Sequence, residues 1–167
     1  VMNPTNLGSG ANQRGGGALC ADVHGKTRVY GVIRADGAAS SETTAGSGGS
    51  IYLVTGELEG NGYLDARGGS SCWCGGGGRI AVVVTNSDSF GSVNMRAYGG
   101  LLAVDASAGT VYREGKSDGP GQGIVRVDNG NLGSTMYTPW PWELNPPVSP
   151  ETTSDVVNAS LEITNQG

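Results

Sequence analysis

A chain of 167 residues is long enough for one domain, yet only 37% of it is hydrophobic and 31 residues are glycine, so order must come from repetition rather than from a large apolar interior. With 7 prolines and glycines in clusters, it cannot be collagen, which needs glycine at every third position. The net charge of -5 comes from 15 acidic and 10 scattered basic residues, which leaves no basic stripe for nucleic acid, and no run approaches the roughly 20 apolar residues that span a bilayer.

The sequence does not open with a charged-then-apolar stretch; it begins at Val1. It reads as a mature or excised piece of a secreted precursor, extracellular or at the cell surface. Residues 1–14, polar and rich in Gly and Asn, are the candidate N-terminal cap. Residues 15–130 then repeat themselves about every 31 residues. Gly31-Val32-Ile33-Arg34-Ala35-Asp36-Gly37 returns as Gly62-Tyr63-Leu64-Asp65-Ala66-Arg67-Gly68, as Asn94-Met95-Arg96-Ala97-Tyr98-Gly99, and more loosely as Ile124-Val125-Arg126-Val127-Asp128-Asn129. A second landmark keeps the same beat: Gly17-Ala18-Leu19, Gly49-Ser50-Ile51, Gly78-Arg79-Ile80, Gly109-Thr110-Val111. Such a period marks stacked units that bury their apolar faces only against neighbours.

Between landmarks the residues alternate with the two-residue period of strands, and no window carries a helical apolar stripe. The expected fold is all-β, a right-handed parallel β-helix of about four coils with terminal caps. Its handedness follows from the rule for parallel crossovers. Stacking the repeats predicts inward columns Ile33, Leu64, Met95, Val125 and Ala35, Ala66, Ala97, Val127. Outward columns carry charge: Arg34, Asp65, Arg96, Arg126, then Asp36, Arg67, Tyr98, Asp128. At roughly 4.8 Å between strands, alternating signs support a parallel register. Arg113 falls where Ala21, Leu53 and Val82 point inward, so the last rung already departs from the core pattern.

Four such rungs stand only about 19 Å tall, and both open ends need covers. Residues 131–167 form a tail in which the repeat stops. Thr138-Pro139-Trp140-Pro141-Trp142 and Asn145-Pro146-Pro147-Val148-Ser149-Pro150 exclude helix. After them Val157, Ala159, Leu161 and Ile163 alternate with polar residues as a half-buried strand. That strand is free to fold back on the solenoid, to join a neighbour's edge as an assembly strand, or to begin a further domain.

Three cysteines, Cys20, Cys72 and Cys74, leave three readings open: a disulfide from Cys20 to Cys72 or Cys74, inert loop thiols, or a metal site with His24. The glycine run Gly75–Gly78 lacks the Lys-Ser/Thr ending of a phosphate cradle and reads as a corner. Asp36, Asp65, Arg67 and Arg96 suit the acid, base and clamp of a polysaccharide lyase or hydrolase, but a charged ladder explains them without chemistry. No catalytic residue is assigned; His24 alone makes no triad, and no nucleophile elbow is present. Tyr137, Trp140 and Trp142 suit either sugar stacking or a cap. Calcium held by Asp105, Asp118 or Asp128 is the one cofactor left open, although their spacing fits neither an EF-hand loop nor a nonapeptide calcium repeat; no other cofactor is expected. Asn158-Ala159-Ser160 matches a glycosylation acceptor, too common a tripeptide to decide anything.

Taken in order, Gly48-Gly49-Ser50-Ile51-Tyr52-Leu53, Gly60 through Gly69, Gly75-Gly76-Gly77-Gly78-Arg79-Ile80-Ala81, and Gly109-Thr110-Val111-Tyr112 through Asn129 resemble the glycine-rich parallel β-helix modules of large bacterial secreted and cell-surface proteins. The resemblance covers residues 7–132 and implies an adhesin-like or matrix-like module with no established active site. The expected function is structural, with head-to-tail self-association through the solenoid ends or the terminal strand. The alternative is a carbohydrate-binding module using the tail aromatics, with glycans as partners.

Overall fold

The computed structural model describes residues 3–41, 43–102, 106–133 and 158–165. There the alternating pattern becomes β1 (Ala18–Arg28), β2 (Val32–Arg34), β3 (Ser50–Glu59), β4 (Tyr63–Asp65), β5 (Arg79–Val84), β6 (Asn94–Arg96), β7 (Thr110–Glu114), β8 (Ile124–Asp128) and β9 (Ser160–Thr164). The described residues contain no helix; the chain is all-β.

Strands one coil apart pair in parallel and in register. β1, β3, β5 and β7 form one sheet, in which Leu19, Ile51, Ile80 and Val111 make one column and Ala21, Leu53, Val82 and Arg113 the next. β2, β4 and β6 form a second sheet that stacks Ile33, Leu64 and Met95. The two sheets share one core, with Ile51, Ile80, Val82 and Val84 from the first packed with Leu64 from the second. Burying each of these side chains contributes roughly 1.5–3 kcal/mol. The result is a parallel β-solenoid of about three coils.

Glycine-rich segments close the third side of each coil, and they form a backbone lattice rather than simple corners. In each coil two such segments run side by side, 35–38 against 46–49, 66–69 against 75–78, and 97–100 against 106–109. Within a coil Gly49 N–H donates to Ala35 (2.7 Å), Gly78 to Ala66 (2.7 Å) and Gly109 to Ala97 (2.7 Å). Along the stack Gly37 N–H donates to Arg67 (2.8 Å) and Gly68 to Tyr98 (2.9 Å). Diagonally, Ala38 N–H donates to Arg14 (2.9 Å), Gly69 to Gly46 (2.9 Å) and Gly100 to Gly75 (2.9 Å). At particular positions the approach leaves no room for a side chain, since a Cβ at Gly49, Gly78 or Gly109 would overlap a carbonyl oxygen of the neighbouring coil.

The N-terminal residues extend that lattice by one layer. Gly8 N–H donates to Gly16 (2.8 Å), Gly16 to Ser47 (2.8 Å) and Ser47 to Ser9 (3.0 Å), while Ser50 Oγ donates to the Asn6 carbonyl (2.6 Å). At the other end the beat of 30 residues brings Asn129 to the place of the next layer. There its side chain replaces a backbone peptide: Oδ1 accepts from Gly99 N–H (2.9 Å) and Nδ2 donates to the carbonyls of Ala106 (3.4 Å) and Leu132 (3.1 Å). Asn129 is fully buried, and its amide ends the lattice without leaving these backbone groups unpaired.

The fourth coil departs from the sequence expectation. β8 does not stack on β6; it runs antiparallel to β7, with Val111 opposite Arg126 and Tyr112 opposite Val125. Val125 therefore never joins the Ile33, Leu64, Met95 column. It packs with Ala81 and Tyr112 on the opposite face of the first sheet, in a second small core. Arg126, in turn, lies on the solenoid side beside Val111, so the expected stacking of Arg96 on Arg126 does not occur. The cause of the reversal is local. The Tyr112 hydroxyl donates to Glu114 and accepts from Gly123 N–H (3.1 Å), while Glu114 also accepts from Gly121 N–H (2.8 Å). These bonds tie the loop between β7 and β8 back onto β7 and force a hairpin.

Burial and the Glu114 carboxylate push the Tyr112 phenol far above the ordinary tyrosine value, and burial raises Tyr52 and Tyr98 as well. The folded chain therefore holds phenolic protons that the unfolded chain releases above about pH 10. The stability these groups contribute is complete below that pH and is lost as pH rises beyond it. Urea midpoints should fall steadily from pH 9.5 upward, with a smaller fall in Tyr112→Phe; a flat midpoint would contradict this assignment.

Candidate functional site

The sequence pattern places the charged columns on an outward face, and on β2, β4 and β6 the register holds: Arg34, Asp65 and Arg96 are aligned across neighbouring strands. Asp65, however, is fully buried. Arg96 grips it with two bonds of 2.7 Å, Arg67 adds a contact at 3.5 Å, and the Arg96 guanidinium lies 4.0 Å over the Tyr63 ring. The coil places Asp65 outward, but the arginines of its own and the next coil cover it. Their hydrogen bonds hold Arg96 in its charged form, its pKa raised chiefly by Asp65. Asp36 also faces Arg67 at 3.2 Å and accepts from the Arg67 backbone N–H (2.7 Å).

These carboxylates are thus committed to arginines, and no pair faces a cleft as acid and base would. A second charged ladder went unread in the sequence. Lys26 and Arg28 align with Glu57 and Glu59, with Lys26 at 2.9 Å from Glu57 and 2.5 Å from Glu59, and Arg28 at 3.2 Å from Glu59. Lys26 lowers the Glu59 pKa, and the two glutamates raise that of Lys26. The signal was present as a Lys-x-Arg followed one period later by Glu-x-Glu.

Of the three readings open for the cysteines, the structure carries free thiols. Cys20 is an exposed β1 residue, whereas Cys72 and Cys74 lie in the loop between two glycine segments; all three thiols are free. Cys74 donates to the Ser71 carbonyl (3.1 Å). His24 is exposed on β1. No group of metal-ligating side chains occurs among the described residues; Asp118 accepts from Gly115 N–H (2.8 Å) and Asp128 from Gly130 N–H (2.8 Å). Asp105, Tyr137, Trp140, Trp142 and Val157 lie outside the described residues.

The terminal strand folds back on its own chain. β9 pairs in parallel with β8, aligning Leu161 with Val125 and Ile163 with Val127, and Ala159 packs against the second core. Leu161 and Ile163 nevertheless remain 48% and 62% exposed, so β9 presents an apolar outer strand. At the opposite margin β1 and β2 each pair on one side only among the described residues.

Two cavities flank Tyr98. One, of about 370 Å³, follows the column of Asp36, Arg67 and Tyr98. The other, of about 460 Å³, lies where a fourth coil would have stacked on β6 and is lined by Met95, Arg96, Val111, Arg113, Arg126 and Asp128 among others. The sequence held one clue to the second: Arg113 in an apolar column.

The chain matches no protein-family model, no curated protein and no solved structure. Its class is defined by its own geometry, a three-coil parallel β-solenoid backed by a glycine lattice. No helix among the described residues is long and apolar enough to cross a membrane.

Burial ranks the two partners of the Asp65–Arg96 pair. Arg96→Met leaves a fully buried carboxylate short of its main partner and should cost about 3 kcal/mol. Asp65→Asn should cost less, because the Arg96 side chain is 27% exposed and can turn to water. Urea unfolding of the two variants measures the order, and a reversed order would contradict it.

Proposed function

We propose that this chain is a structural module of an extracellular or cell-surface polypeptide, serving as a short stiff unit in an adhesin-like or matrix-like assembly. The observation that carries this reading is the glycine lattice. Backbone hydrogen bonds in three directions leave little slack between coils, and local opening is the step a protease needs. The ladders of Asp36, Asp65, Arg67 and Arg96 and of Lys26, Arg28, Glu57 and Glu59 support the same reading, since they tie one coil to the next. Glycine-rich composition and the ordered repeat motifs favour the secreted class.

Self-association follows the free margins. β1 and β9 bound the larger sheet, each with an unpaired edge among the described residues, and an exposed edge is a template for a further strand. In a head-to-tail stack β9 of one copy would meet β1 of the next, running antiparallel because β8 has reversed the chain direction.

Native-state proteolysis tests the structural reading, with the glycine segments 35–38, 46–49, 66–69, 75–78, 97–100 and 106–109 expected to stay intact under conditions that digest the urea-unfolded chain. Rapid cleavage within the glycine segments would defeat it. Electron microscopy beside sizing chromatography over a range of concentrations tests assembly: filaments or concentration-dependent oligomers are expected, and a persistent monomer would remove self-association from the account.

A further inference from the structure

We infer that the cavity at the C-terminal end of the solenoid is a binding site for a carboxylate-bearing sugar, a hexuronic acid residue of an acidic polysaccharide. This goes beyond the structural role and uses none of the tail aromatics. The cavity exists because β8 leaves the stack. Ile33, Leu64 and Met95 rise as a column, and the fourth side chain that would complete it, Val125, packs on the other face of the larger sheet. The vacancy of about 460 Å³ falls within the usual range for small-molecule sites.

The lining suits such a ligand part by part. Met95 and Val111 offer apolar surface for the hydrogen-bearing face of a pyranose ring, while Ser92, Asn94 and Asp128 supply donors and acceptors for hydroxyl groups. Three arginines converge from three strands, Arg96 on β6, Arg113 on β7 and Arg126 on β8. Their charges are not equally committed. Arg96 is bound by Asp65 at 2.7 Å, and Arg126 contacts Asp128 at 3.1 Å and Glu162 at 3.9 Å. Arg113 has no carboxylate partner among the described residues and lies 5.5 Å over the Phe90 ring. It also occupies a column in which Leu53 and Val82 are core residues and Ala21 packs against them. A guanidinium left uncommitted in a chain of net charge -5 is suited to an incoming carboxylate, which it meets with a planar two-donor fork.

Arg113→Met is the decisive variant, because an apolar residue there matches its column and should keep the urea midpoint at or above the parent value. Calorimetric titration of the full chain would use a hexuronic acid trisaccharide, the neutral trisaccharide made by reducing its carboxyl groups, and a sulfated form of that neutral sugar. The parent should bind the uronate and not the neutral sugar. Arg113→Met should weaken uronate binding roughly tenfold or more, as expected for loss of a charge-assisted contact. Arg113→Lys, which keeps the charge and loses the fork, should fall between them. No uronate binding by the parent, equal binding of the neutral sugar, binding of the sulfated sugar alone, or an unchanged affinity in Arg113→Met would each overturn the proposal.

Discussion

Everything else in this molecule depends on how closely the glycine segments approach one another. Hydrogen bonds within a coil, up the stack and across the diagonal join backbone atoms, and at glycines such as Gly49, Gly78 and Gly109 a single methyl group would force them apart. The apolar core is small, and its columns often end in alanine or valine. A lattice of this kind supplies what such a core lacks, because each added coil satisfies the peptide groups of the coil beneath it. The sheets are consequently held at a fixed spacing, and the side-chain columns inherit their register from it.

An open lattice must stop somewhere, and the two ends stop differently. At the N-terminus residues 6–16 add a further layer of the same kind, so the termination is a continuation. At the C-terminus the chain keeps its beat of 30 residues but substitutes an amide side chain, Asn129, for the next peptide. The Tyr112, Glu114 and Gly123 cluster reverses the strand that leads there. Together these devices end the solenoid while opening a cavity on one side of its top coil. A structural terminus and a candidate binding site are therefore two consequences of one reversal.

The period and the alternation were legible because a parallel stack translates sequence spacing directly into register: Leu19, Ile51, Ile80 and Val111 align as their numbers suggest. The fourth coil was not legible. Its motif recurs on time since Asn129 must reach the lattice, but the route taken by Ile124–Asp128 is decided by hydrogen bonds between residues that show no pattern in one dimension. Asp65 reads as an outward charge by parity, and its burial comes from the neighbouring arginines that cover it. The glycines reveal turns in sequence, whereas the three-way bonding depends on packing between coils. Of the candidate site, only Arg113 was visible, as a charge out of place in an apolar column; the Arg126 it works beside reached the solenoid side by the strand reversal.

Close approach of the glycine segments is the claim most open to direct trial. Gly49→Ala and Gly78→Ala place a methyl group against the carbonyl oxygens of the neighbouring coil, whereas Gly31→Ala places one where nothing lies within 4 Å. Urea unfolding should show losses of about 3 kcal/mol or more for the first two, and a change within about 1 kcal/mol for the third. Three similar, small changes would mean that the lattice does not hold the fold together.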